Sequence, residues 1–187
     1  MPMILLTTSH RPTRRIRSLC NDLARSIPGL KRVNRGKMSL LEIAEKTLEM
    51  GAEKFIVVDR WKGGPGRIRL FKISNGSFGE IPPRLYISGV KLRREYKMPR
   101  DIVDKTISSL FLDASETVDR EVERFRLSIA DFLDLPAIKS LGETLNYEAC
   151  MRISGGIDSW AYISFYLLSG NVEIGPRIKI SHVVWDV

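Results

Sequence analysis

The sequence has few of the residues that build metal sites or covalent crosslinks. It contains two cysteines and two histidines in 187 positions. Cys20, Cys150, His10 and His182 are far apart and show no ligand spacing. We therefore expect no structural metal and no cofactor. Both cysteines fall among apolar residues, so they are predicted to be buried free thiols in a reducing cytosol.

Long hydrophobic runs are also missing. No apolar segment approaches the roughly 18 residues that span a membrane, and residues 1–6 are too short and uncharged for a signal peptide. The sequence shows no Ser/His/Asp, Cys/His or metal-nuclease pattern. These absences predict a cytoplasmic protein that is not an enzyme and has no catalytic residues.

Positive charge is abundant but concentrated in one half of the chain. Residues 1–100 contain 22 Lys and Arg against 8 Asp and Glu, a net charge of +14. Residues 101–187 contain 8 against 14, a net charge of −6, and the two values give the +8 of the whole chain. A localised excess of cations is typical of a nucleic-acid surface, because neutralised phosphates release counterions. The acidic part would be repelled by the phosphate backbone and would orient the protein on it.

The strongest candidate for an anion site is the segment 7–15. A short apolar strand, 3–6, precedes it, and a helix follows with apolar residues at three- and four-residue spacing until Pro28-Gly29. The first turn of such a helix offers unpaired backbone N–H groups. Hydroxyls come from Thr7, Thr8, Ser9 and Thr13, and cations from Arg11, Arg14, Arg15 and, two residues beyond the segment, Arg17. His10 is also among the predicted RNA-binding residues. Cations in a first turn oppose the helix dipole, so we expect phosphates to bind here.

A second basic cluster, residues 31–37, also leads into a helix. Ser39 and Glu42 form a capping box, and Gly51 ends the helix that it opens. If the strands before the two clusters are neighbours, both clusters lie at one edge of the sheet. We include four residues of this cluster among the predicted RNA-binding residues: Arg32, Asn34, Arg35 and Lys37. The alternative is an ordinary charged surface loop.

The chain shows an internal repeat. Residues 83–90 and 176–183 share five of eight residues at an offset of 93, about half the chain length. At the same offset Gly63 and Gly156 lie in turns between runs that read as strands, 55–59 with 67–73 and 149–153 with 160–168. Coinciding features at this offset favour a duplication.

The front of each half reads as helical. In the second half a strand at 108–113 precedes a helix that Ser115 is predicted to cap and Pro136 to end. A Glu116/Arg120 pair at i,i+4 indicates a solvated helix face rather than catalytic carboxylates. We therefore predict an α/β protein of two duplicated halves, each a mixed sheet with helices: a basic half, 1–94, and an acidic half, 95–187.

Three short motifs resemble those of one known family. Residues 8–13 are similar to the Thr-Ser-Arg-x-Pro-Ser opening of Brix-domain proteins, and 32–36 match their Arg-x-Asn-Arg-Gly segment. Residues 174–177 are similar to their Gly-Pro-Arg element near the end of the domain. The motifs occur in the family's order. This chain has His10 where the family usually has Arg, and Thr13 where it usually has Ser.

The resemblance implies both a fold and a role. It implies a single Brix-like domain over residues 1–187, with halves that resemble the anticodon-binding domain of class II aminoacyl-tRNA synthetases. It also implies a ribosome-biogenesis factor that binds ribosomal RNA precursor and assists its processing and subunit assembly. The chain lacks the long charged extensions of eukaryotic relatives, so the resemblance is to a minimal archaeal member.

One motif points to a different function. Residues 154–159 have the form of the Ser-Gly-Gly-x-Asp-Ser loop of ATP pyrophosphatases, which would make the protein an adenylating enzyme. That loop needs a following helix, whereas residues 160–166 are aromatic and β-branched and read as a strand. We therefore interpret the motif as a hairpin turn. A generic tRNA- or ribosome-binding module is a further alternative.

Other residues leave two readings open. A Trp at a strand end usually packs in a core, which is what we expect of Trp61, but its ring could also stack on an unpaired base. Arg84 and Arg177 precede strands at matching positions, where a structural role and RNA contact are equally plausible. The sequence thus predicts a monomeric, non-catalytic RNA-binding protein whose acidic half is available to ribosome-assembly proteins.

Overall fold

One mixed β-sheet organises the chain in the computed structural model, which describes residues 1–144 and 146–187. The eleven strands of this described part are β1 (Ile4–Thr8), β2 (Leu30–Arg32), β3 (Lys54–Trp61), β4 (Gly64–Ser74), β5 (Ser77–Lys91), β6 (Leu110–Asp113), β7 (Ala137–Ile138), β8 (Ala149–Gly155), β9 (Ala161–Leu167), β10 (Val172–Glu173) and β11 (Arg177–Val184). The helices are α1 (Arg14–Ser26), α2 (Leu40–Glu49), α3 (Arg100–Val103) and α4 (Arg120–Leu133). The predicted α/β class is confirmed.

The two halves of the sheet have equivalent strand orders: β2-β1-β3-β4-β5 from one end corresponds to β7-β6-β8-β9-β11 from the other. The full order runs β2-β1-β3-β4-β5-β11-β9-β8-β6-β7, with β10 beside β9. β1 is parallel to β2 and β3, and β4 and β5 continue the sheet as antiparallel strands. In the same way β6 is parallel to β7 and β8, and β9 and β11 continue antiparallel. The halves meet where β5 pairs with β11.

The two similar octapeptides lie in these central strands and pair with each other. The antiparallel ladder places Arg84 and Arg177 at its opposite ends. A cis peptide bond precedes Pro83 in one segment and Pro176 in the other. The turns at Gly63 and Gly156 each join antiparallel strands, as predicted. This arrangement is what a duplication would produce, and the common origin of the halves stays a prediction.

Helix α1 forms where the sequence predicts it. The Thr13 hydroxyl accepts a hydrogen bond from the backbone N–H of Ile16 at 3.3 Å and caps the helix. The apolar side chains of one face are buried against the sheet. The helix ends before Gly29, which has φ +80° and where a Cβ atom would lie 2.9 Å from the carbonyl of Pro2. Glycine is therefore required at this turn.

The helices lie on both faces of the sheet. Helices α1 and α4 contribute to one large apolar cluster that extends across both halves. Helix α2 covers the opposite face of the first half, where Ile43 and Ala44 pack with Leu5, Phe55 and Val57. Its predicted capping box is present, because Ser39 and the side chain of residue 42 bond each other's backbone N–H groups.

The start of α4 differs from the prediction. Asp119, not Ser115, caps the helix, and its carboxylate accepts hydrogen bonds from two backbone N–H groups at 2.9 and 3.0 Å. Ser115 instead donates to Asp113 at 2.6 Å in the preceding turn. The predicted Glu116/Arg120 helical pair is therefore wrong, since Glu116 lies outside the helix.

A buried arginine joins the two halves. Arg93 follows β5 and is fully buried. Its guanidinium donates to Ser26 Oγ in α1 at 2.9 Å, to the Gly175 carbonyl at 3.2 Å, and to two carbonyls at the end of α3 and just beyond it. Its backbone N–H donates to the Asp22 carboxylate at 2.9 Å. Burial lowers the pKa of Arg93 to about 10 and raises the pKa of Asp22.

Both thiols lie in the core. Cys20 and Cys150 are buried and unpaired, as predicted, and burial raises their pKa values to about 12 and about 11. Within the described residues, no helix combines the length and apolar character needed to cross a membrane. The same residues contain no group of three side chains placed to hold a metal ion.

Candidate nucleic-acid interface

Three segments of the chain meet at one edge of the first half. Because β1 is parallel to both β2 and β3, the carboxyl ends of the three strands lie at the same edge of the sheet. The segments that leave them are therefore neighbours. We call residues 9–14, 33–39 and 60–63 the basic edge. The predicted adjacency of the first two segments is confirmed. The third segment contains Trp61, for which the sequence left base stacking as a second reading, and it adds Arg60 and Lys62 to the site.

Hydrogen bonds hold the first two segments together. The Thr7 hydroxyl donates to the Val33 carbonyl at 3.0 Å. His10 Nε2 lies 2.9 Å from the Met38 carbonyl oxygen, so the exposed imidazole lies against the segment that leads into α2. In this position the His10 ring is oriented by a backbone carbonyl of the second segment.

Arg35 is structural rather than free at the surface. Its side chain is buried and donates from Nε to the Met38 carbonyl and from Nη1 to the Thr8 carbonyl at 3.3 Å. Burial, together with the nearby charge of Arg69, lowers the pKa of Arg35. Arg35, a predicted RNA-binding residue, therefore connects β1 to the loop before α2 through hydrogen bonds.

The Arg15 side chain also has hydrogen-bond partners within the protein. Its guanidinium makes a two-point ion pair with the Glu95 carboxylate at 2.6 and 3.0 Å and donates to the Val90 carbonyl. The hydrogen bond from Arg15 lowers the pKa of Glu95, and the same bond raises the pKa of Arg15. Arg15 thus ties α1 to the segment after β5, and it is a weaker candidate for phosphate than its neighbours.

The predicted hydroxyl ligands divide into two groups. Thr8 is a buried residue of β1, and its hydroxyl donates to the Ser9 carbonyl at 2.9 Å. The Ser9 and Thr13 hydroxyls each accept one backbone N–H, from Arg60 at 3.0 Å and from Ile16 at 3.3 Å. A hydroxyl that accepts a hydrogen bond keeps its own proton. Ser9 and Thr13 can therefore still donate to a phosphate oxygen.

Arg32 is half-buried and lies against α1. It donates to the Asn21 side chain of α1, and Asn34 Oδ1 lies 3.5 Å from its second terminal nitrogen. Its Nε atom is buried and has no hydrogen-bond partner in the described part of the chain. Asn34 itself is exposed and could still contact a sugar or a base edge.

Five cations of the basic edge are exposed and have no counter-ion among the described residues. Three were predicted: Arg11, Arg14 and Lys37. The other two, Arg60 and Lys62, follow β3 and form part of the third segment. The first turn of α1 contains no acidic residue, so its N–H groups add to the positive potential. This combination of free cations and an uncompensated helix N-terminus is suited to binding phosphates.

Asp59 fixes the strands beneath these cations. Its carboxylate is 7% exposed and accepts hydrogen bonds from Nε of Arg67 at 2.6 Å and Nε of Arg69 at 2.7 Å, both on β4. Two cations on one buried carboxylate make a rigid base for the β3–β4 hairpin. Arg67 and Arg69 are therefore held in the sheet and are not counted among the free cations.

Comparison with known proteins identifies the family. No protein-family model matches the chain. A protein of Pyrobaculum aerophilum described as a probable Brix domain-containing ribosomal biogenesis protein is 30% identical over 187 residues, which cover 97% of this chain and 95% of that protein. The chain belongs to the Brix-domain family of ribosomal biogenesis proteins. The predicted membership, with archaeal relatives, is confirmed.

Other Brix-domain relatives match over a shorter part. Proteins of the same description from Pyrococcus horikoshii and Pyrococcus abyssi are 41% and 40% identical over 93 residues. That match covers 50% of this chain and 41% of each relative, so the aligned part of the chain spans less than half of their length.

Solved structures share the fold. The crystal structure of a probable ribosomal biogenesis protein from Aeropyrum pernix matches with a TM-score of 0.77 at 24% identity, over 97% of this chain and 96% of the other. The crystal structure of Mil, an archaeal Imp4-like protein, matches with a TM-score of 0.67 at 21% identity, over 97% and 99%. The mixed α/β sheet is therefore the fold of these proteins.

In this Brix-domain protein the loop 154–159 is a hairpin turn. Residues 156–160 join antiparallel strands β8 and β9, and the Gly156 N–H donates to the Trp160 carbonyl at 3.2 Å. The Asp158 carboxylate pairs with Lys179 of β11. A pyrophosphate-binding loop needs a helix at this point, and the chain continues as a strand. The interpretation of the motif as a hairpin is confirmed.

Arg84 and Arg177 make the same contact in the two halves. Arg84 forms a two-point ion pair with Glu80 at 2.6 and 2.8 Å. Arg177 pairs in the same way with Glu173, with its Nε at 2.7 Å. Each pair spans four residues and lies on the sheet. Of the two readings left open, the structural one therefore fits both residues.

Proposed function

We propose that this Brix-domain protein is a non-catalytic factor that binds ribosomal RNA precursor through the basic edge and assists its processing and subunit assembly. One observation carries the proposal: three neighbouring segments at the N-terminus of α1 contain five exposed cations that have no counter-ion in the part of the chain that the structure describes. Phosphates of a polynucleotide would supply the missing negative charge. The names of the relatives, ribosomal biogenesis proteins, support ribosomal RNA as the polynucleotide.

The cations of the basic edge suit the backbone of folded RNA. A-form RNA hides its base edges in a narrow major groove, so proteins recognise its phosphates, 2′-hydroxyls and unpaired loops. Arg11, Arg14 and Lys37 can bind phosphates, while the Ser9 and Thr13 hydroxyls can donate to phosphate or sugar oxygens. Contacts of this kind fix position and orientation with little dependence on sequence.

A salt titration of a triple variant tests the proposal. In Arg11→Ala, Arg14→Ala, Lys37→Ala the protein loses three exposed cations whose side chains make no hydrogen bond or ion pair with the described residues, so it should fold like the wild type. If each cation neutralises one phosphate, the slope of log K against log salt becomes shallower by roughly 2 to 3 units, at about 0.7 to 0.9 per contact. The measurement is fluorescence anisotropy with a labelled ribosomal RNA fragment at four or more salt concentrations.

The matched control removes three exposed cations from the second half. Arg100, Arg120 and Lys139 are exposed there, and their replacement by Ala should leave the slope within 0.5 units of the wild type, a margin below one contact. An unchanged slope in the first triple variant would remove the basic edge as the RNA site. Crosslinking in cells with sequencing of the bound RNA should return ribosomal RNA precursor, whereas recovery of tRNA alone would favour the generic module.

We also propose that the acidic half docks assembly proteins and that the protein acts as a monomer. Support comes from the net charge of −6 over residues 101–187, which keeps this half off the RNA backbone. Size-exclusion chromatography with light scattering should give the 21.3 kDa of one chain.

The two halves, we further propose, arose by duplication of a unit similar to the anticodon-binding domain of class II aminoacyl-tRNA synthetases. Support comes from the strand order, which is the same from either end of the sheet, and from the matching Glu80–Arg84 and Glu173–Arg177 pairs. Superposition of 1–94 on 95–187 should align Arg84 with Arg177, and an alignment in another register would contradict this origin.

A further inference from the structure

Trp61 is exposed at the tip of the β3–β4 hairpin, contrary to the prediction that it packs in the core. The residue is 57% accessible to solvent. The other two tryptophans have ring contacts, Trp160 with Phe125 at 5.4 Å and Trp185 with the guanidinium of Arg124 at 3.8 Å. Trp61 has no such contact among the described residues. Folding therefore gives no reason for an indole at this position.

The hairpin holds Trp61 in a fixed place. Trp61 pairs with Gly64 across the turn, and Lys62 and Gly63 have φ values of 47° and 87°, as a tight two-residue turn requires. A Cβ atom on Gly66 would lie 1.8 Å from Trp61 Cβ and 2.9 Å from its Cγ. Only glycine at position 66 leaves room for the Trp61 side chain against β4.

The same hairpin is fastened to the basic edge. The backbone N–H of Arg60 donates to the Ser9 hydroxyl at 3.0 Å, and the Ser9 N–H donates to the Val58 carbonyl at 3.0 Å. Arg60 precedes and Lys62 follows Trp61 in the sequence, and both are exposed cations without counter-ions in the described chain. An exposed aromatic residue next to two such cations along the chain combines a stacking surface with groups that can bind phosphates.

We propose that Trp61 stacks on one unpaired base of the bound RNA while Arg60 and Lys62 contact the phosphates on either side of it. The proposal rests on the proposed function and adds a substrate class: folded RNA with an unpaired nucleotide, in a bulge, a loop or a single-stranded overhang. Bases inside a helix are stacked on both faces, so the indole of Trp61 can stack only on a base that is unstacked from its neighbours. Stacking depends on the face of the base and tolerates different sequences.

Two RNAs of equal length test the proposal, a perfect duplex and the same duplex with one bulged 2-aminopurine. We expect Trp61→Ala to weaken binding of the bulged RNA by roughly 5- to 150-fold, as the loss of one base stack does. Binding of the perfect duplex should stay within twofold, and the salt slope should not change. Trp61→Phe should recover part of the loss. Stacking on the indole should also quench the 2-aminopurine fluorescence with wild-type protein and not with Trp61→Ala.

The matched control is Ile157→Ala. Ile157 is the fully exposed apolar residue at the β8–β9 hairpin of the second half, and its removal should change neither RNA's affinity. Equal loss on both RNAs, or no loss and no quenching with the bulged RNA, would overturn the role of Trp61. Failure of the proposed function looks different: the Arg11, Arg14, Lys37 triple variant would then keep the wild-type salt slope on both RNAs.

Discussion

Replacement of Arg93 by Met should destabilise the whole protein, because Arg93 joins both halves. Met has a similar length and no donor, so the variant keeps the packing and loses the side-chain hydrogen bonds to Ser26, to Gly175 and to two carbonyls near α3. Removal of one member of a buried charged network costs about 3 to 5 kcal/mol, and a buried acceptor left without a donor costs roughly 1 to 3 kcal/mol. Against a total stability of about 5 to 15 kcal/mol, this loss is large.

Urea unfolding at pH 7, followed by circular dichroism, measures the effect. We expect the free energy of unfolding to fall by about 3 to 5 kcal/mol with an unchanged m-value, because the same surface is exposed on unfolding. Arg94→Met is the control: Arg94 is the exposed neighbour whose Nη1 donates to Ser18 at 3.1 Å, and its loss should cost less than about 0.5 kcal/mol. A similar fall in the free energy of unfolding in both variants would refute the idea that the buried Arg93 side chain stabilises the contact between the two halves.

The penalty should also depend on pH. Burial raises the pKa of Asp22, and the charge of Arg93 opposes that rise. In Arg93→Met the folded pKa of Asp22 moves further above its unfolded value of about 3.9. An acid with a raised folded pKa binds more protons in the folded state, so stability falls as the pH rises from the unfolded to the folded pKa. The difference from wild type should therefore be smaller at pH 4 than at pH 7, and Asp22→Asn should abolish that pH dependence.

Three further predictions concern the thiols, a helix cap and the hairpin turn. Because burial raises the pKa values of Cys20 and Cys150 to about 12 and about 11, Ellman's reagent at pH 8 should label neither in the native protein and both in 6 M guanidinium. Asp119→Ala should lower the free energy of unfolding by about 0.5 to 2 kcal/mol, and Ser115→Ala should lower it by less. If thermal melts show a larger loss for Ser115→Ala, Ser115 is the cap of α4. Asp158→Ala should leave RNA affinity within twofold, whereas micromolar ATP binding that this change removes would support an adenylating enzyme.

Several elements could be predicted because local signals agree with tertiary packing. Helix α1 has a capping Thr13, an apolar face of regular spacing and a terminating glycine, and all three point to the same boundaries. The strands of both hairpins are long enough to show their pattern, although most of their ends lie one to three residues from the predicted ones. The strands β2, β7 and β10 contain two or three residues and leave no periodic signal to read.

The candidate site shows where sequence reasoning stops. Arginines in a basic segment look alike, and their partners lie far along the chain: Arg15 bonds Glu95, 80 residues away, and Arg35 bonds a carbonyl 27 residues away. The cap of α4 was misplaced because residues 115, 117 and 119 can all cap a helix, and only the fold selects among them. Arg60 was missed because nothing local shows that β3 is parallel to β1 and ends at the same edge.

The lengths of the outermost strands bear on how the protein behaves at high concentration. The sheet begins with β2 and finishes with β7, which have three and two residues. Unpaired N–H and C=O groups on a long terminal strand would template the addition of strands from other molecules and lead to aggregation. Because β2 and β7 are so short, their outer edges have few unpaired backbone groups with which another chain could pair. The two ends of this sheet therefore give a strand of another molecule little template for pairing.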